Sequence, residues 1–286
     1  SDVCSSDLGQ CAAVCPTGAI TVKNDTERLW KDISDVETVV VVQIAPAVRV
    51  GISQELGLNN DENVMGKIVS SLRKMGVDEI FDTSTGADLT VLEETSEFIS
   101  RLKNNEKLPL FTSCCPAWVT YVENNYPSLI KNISSCRSPM QMFASVIREQ
   151  YKDSSKKIVH VAIMPCTAKK FEAQREEFKE DGMNNVDYVI TTKELIKMIK
   201  ESGIVFSEVL PEAVDMPFGV SSGAGVIFGV TGGVTEAVIR RVIEDKSTST
   251  LRALAFNGVR GMEGVKEASI TVGVRVINIA VVRDRK

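Results

Sequence analysis

The sequence predicts an α/β fold of two lobes, each a mostly parallel twisted sheet flanked by helices. Short apolar runs such as Val39–Ile44 and Ile158–Met164 are typical of buried strands. They alternate with longer segments, such as 63–74 and 87–103, whose apolar residues recur at helical spacing. Because parallel strands need crossover connections, this alternation favours parallel sheets covered by helices.

The same alternation continues along the rest of the chain. A length of 286 residues allows one large or two medium domains. We expect an N-terminal segment at 1–25, a first lobe at 26–190 and a second lobe at 191–286. Further strands are predicted at 78–81, 108–112, 187–190, 251–257, 268–272 and 276–282, and further helices at 117–126, 139–152, 192–201 and 233–244.

Composition and charge exclude some functions. The net charge is -5, whereas a nucleic-acid-binding domain usually carries a basic surface. No apolar run approaches the roughly 18 residues of a membrane span, and the first nine residues lack the pattern of a signal peptide. We expect no nucleic-acid or membrane partner and a cytoplasmic location, although an export signal upstream of Ser1 stays open.

Cysteine usage points to metal or thiol chemistry. The cysteines are odd in number and two of them are adjacent, which does not fit a framework of disulfides. In a reducing compartment, such cysteines are typical of metal ligands or catalytic thiols. The seven are Cys4, Cys11, Cys15, Cys114, Cys115, Cys136 and Cys166.

Cys11 and Cys15 match the second half of the bacterial ferredoxin run C-x2-C-x2-C-x3-C-P. The first half would need cysteines at Ser5 and Leu8, and Cys4 is one residue out of register. We expect a short strand after this run. The pair is therefore either an inert remnant of a ferredoxin-like segment or part of a [4Fe–4S] ligand set in a longer parent protein.

Cys114, Cys115 and Cys166 each follow a predicted strand, where open α/β sheets place their sites. Adjacent side chains leave the backbone in different directions, so one cysteine can bind a metal while its neighbour faces another space. A helix after Cys166 would bring Lys169 and Glu172 onto its face, where an ammonium can hold an anionic ligand. Buried structural cysteines and a solvated Lys–Glu face remain open as alternatives.

A carboxylate pair, Glu94 and Glu97, shares one face of the helix predicted at 87–103, and Arg101 could pair with Glu97 near the surface. Carboxyl groups that accept and donate protons suit a proton path. A solvated acidic face would have the same spacing. His160, the only histidine, lies within an apolar strand and is predicted to be structural.

Two segments, FTSCCP at 111–116 and MPCTAKKFEA at 164–173, resemble two of the three signature segments of the [FeFe]-hydrogenases. Ala45-Pro46, the Ser-x-x-Ser-Pro-x-Gln pattern at 135–141 and the glycine-rich segment at 222–233 fit the same family. The similarity extends over about residues 9 to 282. Ala117 stands where many members have glycine, which leaves the predicted ligands intact.

The resemblance implies an H-cluster, in which a cysteine bridges a [4Fe–4S] cubane to a diiron unit with CO, cyanide and an amine-bearing dithiolate. Cys115 and Cys166 would bind the cubane, and Lys169 would hydrogen-bond a cyanide. The residues implied to pack around the diiron unit are Ala45, Pro46, Met164 and Phe228.

The family also implies a proton relay and a reaction. The implied relay consists of Cys114, Glu94, Ser134 and Glu97. The implied reaction is the reversible reduction of protons to dihydrogen, with electrons from a ferredoxin or an NADH-linked subunit and with maturation proteins that supply the diiron unit. Additional [4Fe–4S] clusters would lie in the N-terminal part of an intact parent.

The third signature segment, which would supply the other two cubane cysteines, does not occur before Lys286. We therefore expect a fragment with non-native ends that by itself binds a cubane poorly and evolves no hydrogen, because ligands also stabilise such sites. An iron–sulfur assembly protein without the diiron unit and a sensory hydrogenase are the alternatives. The retained Cys114 and its relay favour the enzyme, and Ser5 and Leu8 exclude a ferredoxin-type carrier.

Overall fold

A computed structural model describes residues 9–58, 63–219, 222, 232–243, 257–258, 264–272 and 275–282. The helices are α1 Gln10–Val14, α2 Thr26–Ile33, α3 Pro46–Leu56, α4 Val64–Met75, α5 Ser84–Asn104, α6 Pro116–Asn125, α7 Pro139–Gln150, α8 Ala168–Glu172, α9 Thr192–Glu201 and α10 Gly233–Val242. The strands are β1 Thr38–Ile44, β2 Glu79–Asp82, β3 Lys157–Met164, β4 Lys179–Glu180, β5 Met183–Asn184, β6 Tyr188–Thr191, β7 Asn257–Gly258, β8 Val265–Val272 and β9 Arg275–Val282.

The main sheet has the strand order β2-β1-β3-β6, and all its pairings are parallel. The α/β prediction is therefore confirmed, with helices flanking a parallel sheet. Ile44 at the end of β1 pairs with Ile163 near the end of β3. The chain consequently leaves both strands at one edge, where Ala45-Pro46 and Pro165-Cys166 follow.

The core of this sheet is built from its β-branched strand residues and from the apolar faces of α3, α4 and α9. Val40, Val42 and Ile163 are fully buried there, as is Leu195 of α9. A capping box begins α9, because the hydroxyl of Thr191 accepts from the Glu194 amide and the Glu194 carboxylate accepts in return. Helix α9 thus packs with the first lobe, although its residues follow position 190, and the division into two lobes stays a prediction.

Two predictions about strands are wrong. Residues 108–112 do not form a strand: only Phe111 makes a bridge, to Ile133, and Pro109 has no amide for a continued ladder. The short strand predicted directly after Cys15 is absent too, because residues 16–25 contain no strand. The predicted strand at 251–257 falls largely outside the described residues.

The parallel sheet predicted for the second lobe is also corrected, because the described strands β7, β8 and β9 pair antiparallel. Val272 and Arg275, the ends of β8 and β9, are joined by two residues. So short a connection makes a hairpin, whereas a parallel pair needs a crossover of a dozen or more residues. The closing strands themselves were predicted correctly, with β8 starting earlier than expected.

Helices α5 and α7 approach each other closely at Gly86. A Cβ at Gly86 would lie 2.7 Å from the Cβ of Phe143 and would also meet the carbonyl oxygen of Pro139. The backbone of α7 therefore lies where a side chain would otherwise be. This contact fixes α5, which carries Glu94 and Glu97, against α7 and so beside the segment that leads into α7.

We expect Gly86→Ala to lower the free energy of unfolding by about 1–3 kcal/mol, because an added methyl group meets backbone that cannot move independently. Gly51→Ala is the matched control in α3, since the nearest atoms to a Cβ there all belong to the Thr192 side chain, with its methyl carbon at 3.1 Å. Urea unfolding of both variants measures the difference. Equal stability of the two variants would contradict a close α5–α7 contact.

His160 is fully buried in β3, as predicted for a structural residue. Its Nδ1 donates to the carbonyl of Asn185 at 2.8 Å, which leaves Nε2 to accept from the Gln43 amide at 3.1 Å. Burial lowers the pKa of His160 from 6.5 to about 3. The imidazole is therefore neutral in the folded protein at physiological pH.

This neutral histidine predicts acid sensitivity. Between pH 6.5 and about 3 the unfolded chain binds a proton that the folded chain does not. Stability should fall on acidification by about 1.4 kcal/mol per pH unit from this residue alone. Urea unfolding at pH 7 and pH 5 tests it, with His160→Gln as comparison: the prediction fails if both proteins lose stability equally.

Candidate active site

The Cys114-Cys115 segment lies between the Phe111 bridge and the start of α6. Phe111 donates its amide to Asn132 at 2.9 Å and accepts from the Ser134 amide at 2.7 Å, which ties this segment to residues 132–134. Cys115 precedes α6 in an extended conformation, and Pro116 is the first residue of the helix. Cys114 is partly buried, whereas Cys115 is exposed.

The Cys166 segment begins where β3 ends and turns directly into α8. Lys169 in α8 donates to the Cys114 carbonyl at 3.0 Å and to the Glu172 carboxylate at 2.6 Å. Glu172 is 3% exposed and also accepts from the Ser138 hydroxyl. The lysine therefore joins the two cysteine segments through its hydrogen bond to the Cys114 carbonyl, and its ion pair with Glu172 turns the predicted Lys169–Glu172 face inward rather than to solvent.

Two thiols of these segments, Cys114 and Cys166, have an environment that raises their pKa. Burial, and after it the charge of Glu94, raises the pKa of Cys114 to about 12. Burial raises the pKa of Cys166, with the nearby Lys169 ammonium opposing the shift and Cys115 adding to it. Cys114 is consequently a thiol that can carry a proton, and Cys115 and Cys166 are close enough to influence each other.

Glu97, in the C-terminal half of α5, lies in a network of hydrogen bonds. It accepts from the Ser134 hydroxyl at 2.8 Å, from the Ser135 amide at 3.0 Å and from Arg101 at 2.5 Å. Although burial opposes the shift, these donors hold the pKa of Glu97 below its ordinary value. Glu97 is therefore a stable carboxylate.

Glu94, one turn before Glu97, is 2% exposed. Burial raises its pKa to about 7, against a hydrogen bond with Ser134 that favours the charged form. A carboxyl group with this pKa is an efficient proton donor and acceptor near neutral pH. The structure thus brings Glu94, Ser134 and Glu97 together. The charge of Glu94 also contributes to the raised pKa of Cys114.

The residues predicted to surround a diiron unit lie at one edge of the main sheet. Ala45, 8% exposed, follows β1 and donates its amide to Ile163 at 3.0 Å. Pro46 begins α3, and Met164, 2% exposed, ends β3. Phe228 lies outside the described residues.

The N-terminal cysteines lie near the Cys166 segment. A Cβ at Gly9, directly before α1, would be 3.2 Å from the Thr167 hydroxyl. Cys11 is in α1, and Cys15 follows it with its sulfur 3.5 Å from the Thr17 hydroxyl. Hydrogen bonds, first of all from Thr17, lower the pKa of Cys15 to about 7, which suits a thiolate ligand.

A partly buried lysine, Lys170, anchors the N-terminal segment to the same region. Lys170 donates to Asp25 at 2.9 Å, to Glu194 at 3.1 Å and to the Val189 carbonyl at 2.6 Å. It thereby joins the residues before α2 to α8 and α9. Lys169 and Lys170 are neighbours in sequence but contact different segments: Lys169 contacts the Cys114 segment, and Lys170 contacts the residues before α2.

Sequence reasoning missed three features of this region. Arg101 was expected near the surface but is 7% exposed, since it also donates to the carbonyls of Lys107, Asn132 and Ile133. Gln141 is fully buried, and neither amide atom has a hydrogen-bond partner. Cys136 lies beside Glu94 and Glu97, and its position two residues after Ser134 was the available signal.

The described residues contain no group of three or more histidine, cysteine, aspartate or glutamate side chains arranged to hold a metal ion. Among the described helices, none is both long and apolar enough to cross a bilayer.

Known proteins have sequences similar to that of this chain. The chain is 43% identical over 98% of its length to the NADP-reducing hydrogenase subunit HndD of Solidesulfovibrio fructosivorans, and covers 50% of that protein. The cytosolic Fe-S cluster assembly factor narfl of Xenopus tropicalis is 32% identical over 83% of the chain, which covers 55% of it. The chain thus spans about half the length of these curated relatives.

A similar solved structure is that of a variant of apo [FeFe]-hydrogenase HydA1 from Chlamydomonas reinhardtii. The TM-score is 0.74 at 39% sequence identity, covering 87% of this chain and 65% of the other. A family model described as "Iron only hydrogenase large subunit, C-terminal domain" matches residues 38–286. These matches show that the chain belongs to the iron-only hydrogenase large-subunit family, and the cysteine segments and the parallel sheet are consistent with it.

Proposed function

We propose that this chain is the catalytic H-cluster domain of an [FeFe]-hydrogenase, which reversibly reduces protons to dihydrogen. One observation carries the proposal: buried Glu94, whose pKa is raised to about 7, lies close both to the Cys114 thiol and to the hydrogen-bonded pair of Ser134 and Glu97. A redox enzyme that consumes protons in a buried site needs such a path. An iron–sulfur assembly protein without the diiron unit does not need such a proton path.

The proposed cofactor is the H-cluster with its cubane, CO, cyanide and bridging dithiolate. Cys115 and Cys166 would hold two of the four cubane positions, and the donor chemistry fits, because thiolates are the usual ligands of such clusters. Lys169 would hold a cyanide by charge and hydrogen bonding. Ala45, Pro46, Met164 and Phe228 would surround the diiron unit, which supplies the metal-centred reduction of protons.

The protein's own residues would move the proton in steps between fixed partners. Arg101 holds Glu97 as an anion at the outer end, where it attracts protons from solvent. The Ser134 hydroxyl donates to Glu97 and shares a hydrogen bond with Glu94, so it can pass a proton while its own O–H is renewed. Glu94 would then protonate the Cys114 sulfur as that thiol releases its proton inward.

Electron delivery is proposed to use the N-terminal segment. Cys11 and Cys15 would belong to a [4Fe–4S] cluster of the intact protein, and the contact of Gly9 with Thr167 brings this segment next to Cys166. A ferredoxin or an NADH-linked subunit would be the donor. Maturation proteins would install the diiron unit, and a cytoplasmic location is proposed.

Two other functions are less well supported. An assembly factor without a diiron unit would have no need of a protonated Cys114 beside Glu94. A sensory hydrogenase of low turnover would need no relay tuned to neutral pH. The environment of Glu94 favours a catalytic hydrogenase over both.

The test uses the full-length protein that contains this domain, matured with the diiron unit. We expect hydrogen evolution from reduced viologen and infrared bands of bound CO and cyanide. Cys114→Ala should retain the bands and lose the evolution. Tyr121→Phe, an exposed change on α6, is the control and should retain both. Wild-type protein that binds a cubane but shows neither bands nor hydrogen would refute the proposal and favour the assembly function.

A further inference from the structure

A half-open cavity of about 500 Å³ lies against the outer part of α5 and the segment before α7. A cavity of this size with polar side chains in its walls can hold several waters. Glu97, at the outer end of the proposed relay, is one wall. The cavity is also lined by Glu93, Ser96, Ser135, Cys136 and Arg137.

Cys136 in this wall also lies close to Glu94. Its amide donates to the Ser134 hydroxyl at 3.2 Å, and its carbonyl accepts from the Ser113 hydroxyl at 2.5 Å. The backbone is therefore held on both sides. The sulfur lies 4.0 Å from the carbonyl oxygen of Thr90, within range of a weak S–H hydrogen bond.

The thiol of Cys136 is neutral and faces three carboxyl groups. Burial comes first and the charges of Glu94, Glu97 and Glu93 follow in raising its pKa to about 12. All three acids belong to α5. The nearby cations are already paired, Arg101 with Glu97 and Arg137 with Glu180. A neutral thiol in this position can donate one proton and accept another.

One carboxyl oxygen of Glu94 is available for a proton-transfer partner such as a thiol. Its Oε1 atom is buried and has no hydrogen-bond partner, although the side chain as a whole is 2% exposed. An unpaired buried oxygen costs about 1–3 kcal/mol. The Cys136 sulfur lies 4.0 Å from the carbonyl oxygen of Thr90, one turn before Glu94, and among the titratable side chains Glu94 has the largest effect on the pKa of Cys136. The Glu94 carboxyl group and the Cys136 thiol therefore lie on the same side of α5.

We propose that Cys136 is a second proton-transfer thiol, which connects Glu94 directly to the water of the cavity and bypasses Ser134 and Glu97. This inference rests on the proposed function of the relay. In the outward direction, the Glu94 carboxyl gives its proton to the Cys136 sulfur while the original S–H proton passes to a cavity water. The thiol is regenerated, one proton has moved, and no electron is transferred. Uptake is the reverse sequence.

The test measures exchange of the Glu94 carboxyl proton, which needs no loaded cluster. The full-length protein is transferred into D2O, and the isotope shift of the Glu94 C=O infrared band, assigned with Glu94→Gln, is followed in time. Ser134→Ala closes the first route, and we expect exchange to persist. Adding Cys136→Ala should slow it by about 10²-fold. Cys136→Ser in the same background should restore it, because a hydroxyl also donates and accepts.

Two comparisons keep this test decisive. Ser96→Ala lines the same cavity at an exposed position and should leave the exchange rate unchanged. If Ser134→Ala does not fold, Glu97→Gln closes the first route instead. An exchange rate that is insensitive to Cys136 in either background overturns the proposal, as does a Cys136→Ser variant that behaves like Cys136→Ala, which indicates packing alone.

Activity provides a second, separate readout in the matured protein. Cys136→Ala should enlarge the solvent isotope effect on hydrogen evolution and steepen its decline at high pH, with the CO and cyanide bands unchanged. Unaltered pH and isotope profiles contradict the branch. If the protein evolves no hydrogen at all, the proposed function fails while the exchange measurement still decides whether Cys136 conducts protons.

Discussion

Glu94→Gln in the matured full-length protein is expected to lower hydrogen evolution by about 10²–10⁴-fold, the usual contribution of a positioned proton donor. The glutamine keeps the shape of the side chain and cannot titrate. Both the Ser134 route and the proposed Cys136 branch pass through this carboxyl group, so no described route remains. The measurement is hydrogen evolution from reduced viologen, together with infrared bands that report an intact diiron unit.

Glu93→Gln is the matched control, because Glu93 is the preceding residue of α5 and is exposed. It removes one negative charge from the same helix without entering the relay. We expect it to retain activity within a few-fold of wild type, in line with the small effects of exposed charges. Equal losses in the two variants would show that charge near α5, rather than the Glu94 proton, limits the rate.

The same substitution has a stability effect of predictable sign. The folded protein holds the Glu94 proton more tightly than the unfolded chain between pH 4.5 and about 7. Wild-type stability should therefore decline as the pH rises through this window, by roughly 3 kcal/mol in total. Glu94→Gln lacks this decline, so it should gain on wild type between pH 4.5 and pH 8 in urea unfolding. A constant difference would mean that Glu94 ionises freely.

Local patterns were sufficient to predict much of the fold and part of the site. Valine-rich β1 and apolar β3 were recognisable because a buried parallel strand is apolar on both faces. Glu94 and Glu97 could be placed on one face because helical spacing depends only on sequence separation. Cys166 could be assigned to the edge of a sheet, because it follows a strand within two residues.

Features that depend on contacts across the chain could not be predicted in this way. Residues 108–112 have an apolar pattern, but Phe111 finds only Ile133 to pair with. Arg101 looked solvated because its carbonyl partners near Asn132 are some thirty residues away. Cys136 is over forty residues from Glu94, and only the packing of α5 against the segment before α7 brings them together.

Lys169→Met is expected to lower the free energy of unfolding by about 3–5 kcal/mol, because it leaves Glu172 buried without its counter-ion. The ion pair has side chains that are 11% and 5% exposed, so solvent screens it little. The substitution also removes the hydrogen bond to the Cys114 carbonyl. Urea unfolding of the protein before maturation measures the loss without interference from cluster binding.

Lys152→Met is the matched control, because Lys152 and Glu149 form a pair with the same three-residue spacing whose side chains are 57% and 70% exposed. An exposed pair contributes at most about 1 kcal/mol. The contrast between the two lysines therefore isolates burial as the cause. Comparable losses in both variants would contradict the buried ion pair.

The double variant Lys169→Met/Glu172→Gln separates an unpaired charge from lost packing. Glutamine is neutral and can still accept from the Ser138 hydroxyl, so the double variant should be more stable than Lys169→Met alone. Recovered stability should not restore hydrogen evolution, because the ammonium beside Cys114 and Cys166 is still absent. If the double variant is no more stable than Lys169→Met, the loss comes from the Cys114 carbonyl contact, and the lysine acts chiefly by joining the two cysteine segments.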